Sequence, residues 1–88
     1  MFTLQLGNGE RRVLDLRATR RLAVTNVSHA PIRICVMGRA EGGWVPVSGD
    51  VWLPPRRRWW RCRDEIGHHN ATVEAHGSPG VPLARVTF

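Results

Sequence analysis

Eighty-eight residues, 42% apolar and 23% charged, make one globular domain with a modest core and leave no room for a second. No apolar run approaches the roughly 20 residues that cross a bilayer, and MFTLQLGNGE lacks the basic start and long apolar stretch of a secretory signal. The chain is therefore expected to be soluble and made in a cytoplasm, with no membrane partner. All 13 basic residues are arginine, against seven carboxylates, and the resulting net charge of +6 points to acidic partners.

Period-two alternation runs through the chain, the pattern of strands with one buried and one wet face. Phe2, Leu4 and Leu6 alternate with Thr3 and Gln5, and Asn8-Gly9 then offers the positive φ values of a tight hairpin turn. Leu14, Leu16 and Ala18 alternate with Asp15, Arg17 and Thr19, and RLAVTNV continues in an extended, β-branched style. A helix over residues 11–23 competes with this reading, because Leu14, Ala18 and Leu22 share helical spacing with Arg17, Arg20 and Arg21 grouped on another face.

Pro31 breaks any helix before IRICVMG, where Ile32, Ile34 and Val36 oppose Arg33, Cys35 and Met37; this segment is predicted to be a central strand. RAEGG turns the chain into WVPVSGDVWLPP, where Pro46 specifies an edge strand or a bulge. After the IGHHN turn, Ala71, Val73 and Ala75 alternate with Thr72, Glu74 and His76, and the chain closes with LARVTF. Turn signals every eight to twelve residues predict an all-β fold, a compact single-domain antiparallel sandwich or barrel of seven or eight short strands over residues 1–88.

Cys35 and Cys62 are too few for a disulfide framework and read either as two part-buried thiols or as one cross-strand disulfide. No zinc-type spacing links them to His68, His69 or His76, so neither a metal nor another cofactor is expected. The carboxylates are scattered beside turns and arginines, His68-His69 lies in a polar turn, and no GxSxG, HExxH or phosphate-cradling loop is present. The chain is expected to be non-enzymatic.

The densest chemistry is PPRRRWWRCRDE, from Pro54 to Glu65. Alternation splits its tryptophans, Trp60 with Cys62 on one face and Trp59 with Arg61 and Arg63 on the other. Trp60 is assigned to the core. Trp59 with Arg56, Arg57, Arg58, Arg61 and Arg63 then forms the expected partner-binding surface. Clustered cations and one stacking ring suit nucleic acid, but with no Tyr and two Phe the array of stacking residues of a single-strand-binding barrel is missing. Trp and Arg also dominate protein interfaces, and the proline-stiffened LPPRRR lowers the ordering cost of docking. Arginine-only usage has a second origin in GC-rich codons, and a partnerless Trp–Arg surface cluster is the plain alternative. A glycan- or receptor-binding sandwich using Trp52 or Trp59 is a third reading.

LAVTNVSHAPIRICVMG followed by GGWVPVSGDVWLPP, about residues 20–55, resembles the opening of small immunoglobulin-like sandwiches: strand, Asn-x-Ser turn with proline, strand, Gly/Pro-rich connection. It departs from antibody-type domains in the short Cys35 to Cys62 separation and in its Trp positions. As a short cationic module with GC-rich composition, the chain is similar to the small auxiliary proteins of tailed-bacteriophage virions. That resemblance implies a decoration or capsid-stabilising protein in the virion, assembled in the host cytoplasm. It would act in many copies on an acidic shell, with homo-oligomers as a further form.

Overall fold

The computed structural model describes all 88 residues and contains eight strands and one helical turn. In chain order these are β1 (Thr3–Leu6), β2 (Arg11–Asp15), β3 (Arg21–Asn26), β4 (Ile32–Ala40), β5 (Gly43–Leu53), β6 (Arg58–Cys62), α1 (Arg63–Ile66), β7 (Asn70–His76) and β8 (Ala84–Thr87). They form two four-stranded antiparallel sheets, ordered β1-β8-β3-β6 and β2-β7-β4-β5. The all-β sandwich expected from the alternation is present.

The pairing follows one rule: β4 pairs with β5, β3 with β6, β2 with β7 and β1 with β8, as though one long hairpin had been rolled up. Only β4 and β5 are consecutive neighbours in a sheet, and the other connections cross between sheets. This is jelly-roll order. The sandwich expectation holds but its immunoglobulin-like strand order is corrected, since a constant-type immunoglobulin sheet carries its first, second, fifth and fourth strands together, whereas here β8 lies between β1 and β3.

Alternation supplies the core. Ile32, Ile34 and Val36 of β4, Ala71, Val73 and Ala75 of β7, and Leu22, Val24 and Val86 of the facing sheet are buried, with Leu6, Leu14 and Leu16 closing the same cluster. β4 is a central strand as predicted, and β5 is an edge whose register slips between Val36 and Met37, opposite the segment containing Pro46. At the slip the Val36 N–H donates to Ser48 Oγ at 3.0 Å, so a side chain replaces the missing ladder partner.

Three local expectations are corrected. Asn8-Gly9 is a turn, with Gly9 at φ 76°, but it carries the chain from β1 in one sheet to β2 in the other and makes no hairpin. Residues 11–23 form β2, a turn and β3, so the extended reading holds over the competing helix, but its alternation ends early: a Thr19 N–H to Leu16 O bond of 3.0 Å turns the chain, leaving Thr19 buried and Ala18 exposed. The tryptophans are exchanged: Trp59 is 7% exposed and belongs to the core, while Trp60 is 40% exposed. The register explains the exchange. Trp59 lies opposite Val24, whose side chain is interior, and Trp60 lies opposite Ala23 on the outer surface of the sheet.

Candidate binding face

The six arginine and tryptophan residues singled out in the sequence do not share one surface. Arg56 and Arg57 sit in the β5–β6 turn, closed by Arg57 N–H to Pro54 O at 3.1 Å, with Arg56 at φ 67°. Arg58 opens β6 on the outer face. Trp59 points inward, and the Arg61 guanidinium lies 5.0 Å from its ring, covering the core tryptophan at the sheet edge. Arg61 Nη1 also donates to Trp60 O at 2.8 Å. Arg63 turns away into α1, donating to Arg17 O at 2.7 Å beside His69 Nδ1 at 3.4 Å. Trp59, Arg61 and Arg63 are thus occupied within the molecule.

What the fold does bring together is the outer face of β1-β8-β3-β6. Register places Thr25 of β3 beside both Arg58 of β6 and Arg85 of β8, and Ala23 beside both Trp60 of β6 and Thr87 of β8. Arg21, two residues from Ala23, holds its guanidinium 4.5 Å above the Trp60 ring. Such stacking is worth about 0.5–1 kcal/mol at an exposed site and leaves the edge N–H donors of the guanidinium free.

The charge on this face is of one sign. No strand of the sheet contains Asp or Glu, because the seven carboxylates lie on β2, β5, β7, α1 and two connecting turns. The ion pairs lie away from this sheet: Glu10 with Arg12 at 3.7 Å, Asp15 with Arg17 at 2.7 Å and Glu74 with His76 at 3.3 Å. Arg21, Arg58 and Arg85 have no carboxylate partner. The opposite sheet mixes signs, with Arg11, Arg33 and Arg39 among Asp15, Asp50 and Glu74.

Where this face meets the β2–β3 turn at the end of the sheet, next to Ala23, the cross-strand partner of Trp60, lies a groove of about 420 Å³ lined by Ala23, Thr87, Arg20, Arg21 and Arg58 and by the aromatic pair Phe2 and Phe88 at the strand ends. Those two rings stand 5.5 Å apart between centroids, on backbones joined by reciprocal hydrogen bonds of 2.6 and 3.0 Å.

The cysteines do not pair. Cys62 shares the outer side of its sheet with Trp60, Cys35 shares the outer side of the other sheet with Arg33 and Met37, and both thiols are free. Packed sheets stand about 10 Å apart, beyond the reach of a disulfide. Burial pushes the Cys35 thiol above its ordinary pKa, aided by the carboxylates of Asp50 and Glu74. Asp15, doubly bonded by the side chain and the backbone N–H of Arg17, is held down at about 2.

Sequence reading missed Trp60, Arg21 and Arg85 as one cluster. Arg21, Ala23 and Thr25 do form an alternating track, but its union with Arg58 and Arg85 depends on β3 lying between β6 and β8, which only the rolled topology creates. Compared with known proteins, the chain matches no family model, no curated protein and no solved structure.

Proposed function

We propose that this chain is a non-enzymatic docking module that grips acidic protein surfaces through the outer face of β1-β8-β3-β6, acting as a decoration or capsid-stabilising protein on a tailed-phage virion. The observation that carries the reading is a sheet without one carboxylate, presenting Arg21, Arg58 and Arg85 around the half-exposed Trp60. Trp and Arg are the side chains most enriched where interfaces draw their energy, and unpaired guanidiniums steer an acidic partner into place. Jelly rolls are common in viral shells and in lectins, so the fold accommodates the role without selecting it.

Particles purified from cultures that make the protein should contain it at a fixed ratio to the shell subunit. That ratio should collapse for Trp60→Ala combined with Arg58→Glu. Recovery of the protein only in the particle-free fraction overturns the virion reading. A second reading, single-stranded nucleic acid, is favoured by one feature, an exposed ring beside unpaired cations; it predicts a steep loss of oligonucleotide affinity with salt.

A further inference from the structure

We infer that the groove next to Ala23 takes an acidic peptide segment carrying one apolar side chain, an inference that rests on the docking reading above and names the partner chemistry of the same face. The cationic side of the groove is formed by Arg20, Arg21 and Arg58, none of which has a side-chain hydrogen bond or a carboxylate partner within the molecule. Their donors are available to carboxylates, for which a guanidinium offers two parallel N–H groups. No lining residue is acidic.

The rest of the lining selects for something other than charge. Ala23 and Thr87 are direct cross-strand partners with short side chains, which keep this stretch of the sheet low. Phe2 and Phe88 add an apolar wall, and Phe2 is exposed. A low floor, an aromatic wall and a rim of unpaired guanidiniums fit an aliphatic or aromatic side chain flanked by Asp or Glu. A uniformly polar polyanion would fill only the rim.

Fluorescence anisotropy tests this with a labelled Glu-Asp-Glu-Phe-Glu-Asp-Glu peptide, the same peptide with serine in place of phenylalanine, and an oligothymidylate of equal charge. The phenylalanine peptide should bind about tenfold more tightly than the serine peptide, the difference expected from burying one phenyl ring. Arg21→Gln with Arg58→Gln should weaken both peptides. Ala23→Gln and Thr87→Leu fill the floor from adjacent strands, and each should bring the two peptide affinities together; using both guards against one variant failing to fold. Equal binding of the two peptides to the unaltered protein overturns the inference, and so does tighter binding of the oligothymidylate, which makes single-stranded nucleic acid the occupant. Particle association that persists while the two peptides bind equally removes the groove's role but spares the docking face, whereas loss of both removes the face as well.

Discussion

Arg56 holds φ at 67°, the left-handed region that costs most side chains about 1–2 kcal/mol, at the third position of a Pro-Pro-Arg-Arg turn where glycine is the unstrained choice. Arg56→Gly should therefore be more stable than Arg56→Ala by about 1 kcal/mol, measured by urea denaturation; equal midpoints would show that the turn bears no such strain. The adjacent tryptophans separate stability from binding. Trp59→Ala should cost about 3–5 kcal/mol, a large share of the margin of a domain this size, whereas Trp60→Ala should change stability by under about 1 kcal/mol and act on docking. The phase of WWRCR was not legible, because both tracks of the strand are mixed: Trp59 runs with Arg57 and Arg61, Trp60 with Arg58 and Cys62. An arginine track reads as surface, yet at a sheet edge Arg61 can lie along Trp59 with its charge in water, so a cationic neighbour does not expel a tryptophan from the core. One residue of slip inverts every side chain in a strand.

Among the elements, β4, β5 and β7 were the most legible, because Ile32, Ile34 and Val36 oppose polar neighbours over a full strand and Pro46 cannot donate to a ladder. Connections were less so: Asn8-Gly9 specifies a turn, but the turn does not say whether the following strand pairs with its predecessor or crosses to another sheet. Asn26, fully buried at the end of β3, ties three segments together, donating to Ala30 O at 2.9 Å and Leu53 O at 2.8 Å and accepting from Ser28 N–H at 2.8 Å. Asn26→Ala leaves those groups without partners and should cost about 3 kcal/mol by thermal unfolding. Between β4 and the α1–β7 turn, a Cβ on Gly38 would collide with the His68 ring, so Gly38→Ala should destabilise and His68→Ala in the same chain should recover most of the loss, a coupling readable in a double-mutant cycle. At the end of β2, the Asp15 carboxyl is depressed from 3.8 to about 2 by Arg17, so its stabilising contribution is complete above the ordinary value and disappears as pH falls through about 2. Asp15→Asn should flatten the acid unfolding profile across that interval and slightly lower stability at neutral pH, where the carboxylate's contribution is complete, with the two proteins converging below about pH 2.

Across the whole molecule, the two sheets divide the charge: one outer face holds cations alone and the other holds both signs. Binding through the first should weaken steeply with ionic strength, and Arg58→Glu with Arg85→Glu should abolish it while leaving the melting temperature nearly unchanged. Charge inversion at Arg33 and Arg39 on the other face should have little effect on the same titration. Net charge was legible from composition, but its segregation was not, because no local pattern announces which distant strands become neighbours. The rolled pairing also sets the order in which the protein can assemble. Only the β4–β5 hairpin closes a short loop, and each outer pair must bring together segments more remote along the chain, so folding should be slow and should zip outward from that hairpin. The outermost pair, β1 with β8, carries the Phe2–Phe88 wall of the groove. A chain still closing already displays its arginines yet lacks the apolar seat, so tight engagement of a partner would be reserved for molecules that have finished folding.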